Sequence, residues 1–316
     1  MAHSHHQLDD QLFQPLTTKQ ITSHETQKEK SNYFKEVVGQ LLKNKLSIIG
    51  FILLMTIIVL AIIGPHLVPY TASQQSLTNA NLPVSGKHWF GTDDLGRDVW
   101  ARTWAGARIS LLIGIIAALI DLIVGVAVGG VAGYMAGRGK NGERIDNILM
   151  RIVEILYGIP YLLVVILLMV LMKPGLATII IALSITGWVG MARIVRGQVL
   201  QLKQQEYVLA AEKLGTSHVK IIWKHLIPNM MGIIIVNLTF TIPSAIFAES
   251  FLSFLGLGVQ SPTASWGTMA NDSLPVVLSG QWWRLFFPGL MISLTMFAFN
   301  AFGDGLQDAL DPQSQK

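Results

Sequence analysis

A chain of 316 residues that is 51% hydrophobic and only 13% charged is far from a soluble domain, where about 25% of residues are charged; its mean hydropathy is +0.50. The net charge of +4 and the pI near 9.2 fit the Lys and Arg excess of cytoplasmic loops in a membrane protein, not nucleic-acid binding. Without cysteine, the chain can form neither disulfides nor thiolate metal sites.

The apolar residues come in runs of about 20, the length that crosses a roughly 30 Å hydrocarbon layer at 1.5 Å per helical residue. Residues 1–32 are polar and read as a loosely held tail, with His3, His5 and His6 as no more than an adventitious metal cluster. The first apolar run begins too late and is too long for a secretory signal. Residues 33–45, with Lys35, Lys43 and Lys45, suit an amphipathic helix at the membrane surface. Predicted spans follow at 46–67, 109–135, 152–172, 176–194, 230–257 and 285–302. They define an all-α membrane protein: a cytoplasmic tail 1–45, a six-helix transmembrane domain 46–303 and a C-terminal tail 304–316. In the second span, Gly125, Gly129, Gly133 and Gly137 recur every four residues, a ladder for close helix approach in lipid.

Charge sets the sidedness. With the N-terminus inside, the outer segments hold only Lys87, Arg97, Arg102, Arg108, Lys173 and Arg284 of the basic residues. Both termini and the polar insert 197–229 are therefore expected to face the cytoplasm. Within that insert Tyr207, Ala210, Ala211 and Leu214 share a helical face at i, i+3, i+4 and i+7, with Glu206, Glu212 and Lys213 off it. Gly215 is placed to end the helix and Thr216-Ser217 to cap the next. A second helix repeats the pattern with Val219, Ile222, Trp223 and Leu226 and is expected to stop near Pro228. On pattern alone, a partner-docking hairpin and an amphipathic hairpin resting on the membrane both fit.

Leu209-Ala210-Ala211, Gly215 and Ile227-Pro228 closely resemble the Glu-Ala-Ala loop of ABC-importer permeases, with Leu209 where the motif has Glu, and His225 and Ile227 in place of its later Ile and Leu. Gly91-Thr92-Asp93-Asp94-Leu95-Gly96-Arg97-Asp98, the run Glu249 to Gly258 and the ending Asn300 to Pro312 are similar to the C-type subunit of oligopeptide and dipeptide permeases. The resemblance implies half of the translocation channel of an ATP-driven peptide importer in a bacterial cell membrane. It implies a homologous second permease subunit, two cytoplasmic ATPase subunits that hold ATP and Mg, and an extracytoplasmic peptide-binding protein. No cofactor is expected in this chain. Glu206, Tyr207, Ala210, Ala211, Leu214 and Gly215 would couple to the ATPase, Glu206 standing in for the missing motif carboxylate. Relatives of the same family that carry nickel chelates or other small solutes leave the cargo open. A stand-alone channel or secondary transporter would leave the insert unexplained and should show inverted repeats.

Asp93, Asp94 and Asp98 lack the ligand order of a calcium loop. Their loop is expected to cap the translocation mouth or meet the delivering protein, or Arg97 and Asp98 simply pair. Asp304, Asp308 and Asp311 read as a solvated helix face. Asp121 lies mid-span, where an ionisable group is costly and commonly faces a water-filled path. Asp121, Glu249 and Asn300 are candidates for the pathway or a subunit contact, and Asn237 shares the ambiguity. Gly139-Lys140 is no phosphate loop, since Tyr134 and Asn141 replace its Gly and Ser or Thr. No catalytic constellation or metal site is expected.

Overall fold

Inside a bilayer a helix is the conformation that pairs each backbone N–H and C=O within its own segment, and the apolar runs of this chain take that solution. The computed structural model describes residues 33–260 and 262–310; the expectations for 1–32, for the histidine cluster and for Asp311 lie outside them. Helix α1 is Tyr33–Leu41. The Asn44 side chain accepts from the amides of Leu46 and Ser47 and so starts α2, Lys45–Ile63. Asp98 caps α3, Val99–Met135, by accepting from the Ala101 amide at 2.8 Å. Then come α4, Gly139–Gly158, and α5, Tyr161–Met172. Helices α6, Leu176–Thr186, and α7, Trp188–Leu202, meet at Gly187. The insert holds α8, Glu206–Lys213, and α9, His218–Ile221. A π turn, Ile222–Leu226, leads into α10, Ile227–Phe254. Helix α11, Trp266–Ser273, lies in the last long loop, and α12, Trp283–Leu310, ends the described chain. Among the described residues five helical stretches are long and apolar enough to cross a membrane, or six if the bent pair α4–α5 counts as one.

Several boundaries differ from expectation for identifiable reasons. The third span is not the straight helix 152–172, because α4 and α5 meet at 84°. Pro160 lacks an N–H and disfavours helical geometry at Ile159, so the chain turns there. The second span starts at Val99 because the Asp98 cap sets its origin. Pro228 does not stop the insert's second helix; it sits in the first turn of α10, where a missing N–H costs little. The π turn rotates the residues before it, so the expected face is split. Ile222 and Leu226 are buried, whereas Val219 and Trp223 are exposed. The last helix runs past 304 to Leu310, and a Cβ on Gly305 would fall 2.3 Å from the Ser47 Cβ.

Helix α3 is the axis of the bundle. Cβ atoms on Gly125, Gly129 and Gly133 would fall within 3 Å of Met191, Ala192 and Arg196 on α7, so the ladder is a seam between these helices. Gly137 does not belong to it; it lies beyond the helix end with φ +71° and nothing near.

Candidate functional site

Three places on or beside α3 gather the candidate residues. The first is the insert. Val208 anchors α8, fully buried with Tyr134, Val199, Ile221, Leu226 and Met230. That anchor turns Tyr207, Leu209, Ala210 and Leu214 outward, Leu214 being 86% exposed, and leaves Ala211 half-buried. Gly215, at φ +79°, ends the helix in a Schellman turn: the Thr216 amide donates to the Ala211 carbonyl at 3.1 Å and the Gly215 amide to Glu212 at 2.9 Å. Ser217 occupies the next N-cap position, but its side chain makes no capping hydrogen bond. Trp223, 59% exposed, and Val219 extend the outward apolar surface.

The organised carboxylate of the insert is Glu212. Its two oxygens accept from Arg138 Nη1 and Nη2 at 2.5 and 2.6 Å, while Glu206 is exposed. The bidentate bond holds the Glu212 carboxyl below its ordinary range and the Arg138 guanidinium above its own. The guanidinium also lies 3.9 Å over the Tyr134 ring, whose hydroxyl is 2.9 Å from His218 Nδ1. Lys203 Nζ donates to the Gly133 carbonyl at 3.0 Å and to that of Ala136, satisfying the end of α3. Burial, then the nearby Arg138 charge, pushes the Lys203 ammonium down. The insert is thus tied to the end of α3, not only to its flanking helices.

The second place is a recess of about 350 Å³ halfway along the bundle. Asp121 of α3, Thr186 and Gly187 at the α6–α7 junction, and Asn237, Phe240, Thr241 and Ser244 of α10 line it. Asp121 is 5% exposed and its Oδ1 has no hydrogen-bond partner among the described residues. A Cβ on Gly187 would fall 2.2 Å from Asp121 Oδ2, so glycine there makes room for the carboxylate. Glu249, expected with Asp121 on the pathway or a partner surface, instead faces inward. It is fully buried and accepts from Ser110 at 3.0 Å, Ser253 at 2.7 Å and Ser250 at 3.4 Å, tying α3 to α10. Asn300 is exposed on α12 and does not line the recess.

The third place is the loop before α3. Gly91 and Gly96 take φ +75° and +68°, and a Cβ on Gly96 would strike the Ser76 carbonyl. The Thr92 hydroxyl accepts from the Leu82 amide and donates to the Asn79 carbonyl. Asp93 accepts from the Leu95 and Arg97 amides and from Arg97 Nε at 2.6 Å. Arg97 therefore pairs with Asp93, and Asp98 with His88 Nδ1 at 2.8 Å, not with each other. Arg102 reaches Asp93 at 3.4 Å and Asp272 on α11 at 3.3 Å, and Arg284 on α12 reaches Asp94 at 3.0 Å. These residues lock the two long loops together. No metal-holding group occurs among the described residues.

Sequence reading missed the Arg138–Glu212 tie, which spans 74 positions, and the loop partners Asp272 and Arg284; pairs so far apart leave no spacing to read. The i, i+4, i+7 row of Asn237, Thr241 and Ser244 was open to it, hidden in an apolar run.

Comparison with known proteins matches the chain as a whole. Residues 129–316 match the family model described as binding-protein-dependent transport system inner membrane component. Residues 32–83 match the N-terminal TM domain of oligopeptide transport permease C. The chain is 60% identical over 312 residues to the dipeptide transport system permease protein DppC of Bacillus subtilis, covering 99% of this chain and 96% of that one. It is 52% identical over 305 residues to the oligopeptide transport system permease protein OppC of the same organism, covering 96% and 98%. Among solved structures, inward-facing MetNI methionine ABC transporter matches with a TM-score of 0.53 at 17% identity, over 65% of this chain and 94% of that one, a likeness of fold.

Proposed function

The chain belongs to the family of binding-protein-dependent transport system inner membrane components, and from that premise we propose that it forms half of the path by which an ATP-driven importer moves peptides across a bacterial cell membrane. The observation that carries this reading is the placement of α3. Its last turn and the residues just past it hold the insert through Tyr134, Arg138 and the carbonyls that accept from Lys203 of the insert, and its middle supplies Asp121 to the polar recess. A displacement of the insert is thereby transmitted to the helix that lines the recess. The exposed side of the insert, with Tyr207, Leu209, Ala210, Leu214, Val219 and Trp223, is the docking surface for a cytoplasmic ATPase subunit. The concentration of basic residues at this end of the bundle supports its cytoplasmic placement.

A second, homologous permease subunit completes the path, and an extracytoplasmic binding protein delivers peptide to the other end. ATP and Mg act in the ATPase subunits; this chain makes and breaks no covalent bond. Closure of the ATPase pair moves the inserts and switches the bundles between inward- and outward-open states. The dipeptide and oligopeptide permeases among the relatives support peptides over nickel chelates as cargo. The test is gentle co-purification of the complete complex. The ATPase subunits should accompany wild type and be lost with Ala210→Asp, while that variant still inserts into the membrane. Equal retention of the ATPase subunits by Ala210→Asp would refute the docking role.

A further inference from the structure

Two buried acids sit in the same bundle with opposite surroundings. Glu249 has its oxygens met by three serine hydroxyls. Asp121, almost as deeply buried, leaves its Oδ1 without a hydrogen-bond partner among the described residues, and it is the one charged residue among those described as lining its recess. A carboxylate of that kind in a membrane span is costly unless a partner arrives. The neutral groups around it define what partner fits. Thr241 and Ser244 donate their hydroxyl protons to the carbonyls of Asn237 and Phe240, and Asn237 donates its amide to Ile233. With those hydroxyl protons engaged on their own helix, the oxygens of Thr241 and Ser244 are left as acceptors, as is the Asn237 amide oxygen; one Asn237 N–H and the Thr186 hydroxyl can still donate. Three acceptor oxygens on one helix facing a buried carboxylate complement a donating cation, and a primary ammonium supplies three N–H bonds. The volume, about 350 Å³, lies within the range of small-ligand sites.

We infer that the Asp121 recess is a binding site for the free α-ammonium of a peptide in transit, with Asp121 as counter-ion and Asn237, Thr241 and Ser244 as neutral acceptors. The inference rests on the peptide-importer reading and deepens it. Gly187 is part of the site because any larger residue would press on the carboxylate. A cation of the second permease subunit is the competing occupant, and it would make Asp121 an assembly residue without preference among peptides.

The test is equilibrium binding to the complete transporter in lipid nanodiscs without its binding protein, using labelled trialanine and N-acetyl-trialanine. Wild type should bind the free-amino form about tenfold more tightly, and Asp121→Asn should reduce that preference to about twofold or less. Asp121→Glu, which keeps the charge, should retain part of the preference. Equal binding of the two probes to wild type, binding of neither, or an undiminished preference in Asp121→Asn would each overturn the site. Loss of subunit association in Asp121→Asn with no peptide preference in wild type would assign the residue to assembly instead. ATP-driven uptake by the same wild-type preparation, with the binding protein restored, separates the outcomes. Uptake without amino-end preference defeats this site alone, whereas absent uptake defeats the peptide-importer reading.

Discussion

Glu212 and Arg138 show what one pair contributes to seating the insert on α3. Both side chains are partly exposed, so the tie is worth about 0.2–1 kcal/mol in a double-mutant cycle. Its larger consequence is positional, since it fixes where α8 sits relative to α3. Exchanging the charges, Glu212→Arg with Arg138→Glu, should restore part of the transport lost in either single variant. No recovery in the double variant would mean that the pair does not act through its charges. The folded Glu212 carboxyl titrates below its ordinary value of 4.5, so pairing stabilises fully above that value and is lost as pH falls through the lower folded one. Protection of the amides of residues 206–216, taken relative to their intrinsic exchange rate, should therefore fall on acidification below the usual carboxylate range, more in wild type than in Glu212→Gln. Gly215 is a second case. Its φ of +79° favours glycine, so Gly215→Ala should cost about 1–2 kcal/mol, and Gly215→Pro cannot adopt the turn at all. Uptake and stimulated ATPase activity should weaken with Ala and vanish with Pro, while membrane insertion survives both. Gly215 was legible as a helix stop because its place after an i, i+3, i+4, i+7 face has one conformational use. Glu212 was legible only as a residue off that face, since its partner lies 74 positions away.

Among the elements, the α3–α7 seam depends on close backbone approach. A Cβ at Gly129 would lie 2.3 Å from the Ala192 carbonyl oxygen, so Gly129→Ala must separate the helices and should cost about 1–3 kcal/mol. A lowered unfolding midpoint of the purified protein would register it; an unchanged midpoint would show that the seam can give. The existence of five spans was readable from run length alone. The third was not, because Pro160 divides an apolar run into pieces that meet at 84°. Helix α5, at 12 residues, reaches only about 18 Å, short of the hydrocarbon thickness. The Gly158-Ile159-Pro160 sequence carried that signal, and hydropathy averaged over a span-length window hides it. The π turn at Ile222–Leu226 was illegible for another reason. It is a register shift set by burying Ile222 and Leu226 against α3 and α7, so pattern on an ideal helix misplaces the outward face by part of a turn.

At the scale of the whole molecule, one continuous helix joins three functions. The loop cluster of Asp93, Arg97, Arg102 and Asp272 holds its start, Asp121 opens the recess in its middle, and Arg138 receives the insert past its end. An importer built this way needs the insert occupied before the recess can change its exposure, so the chain alone should not transport. Reconstitution into proteoliposomes with the second permease, the two ATPase subunits and the binding protein measures this directly, by following accumulation of a labelled dipeptide. Accumulation should require ATP and every subunit, and it should be abolished by Ala210→Asp on the insert. Uptake by this chain alone, or uptake driven by an ion gradient without ATP, would contradict the account.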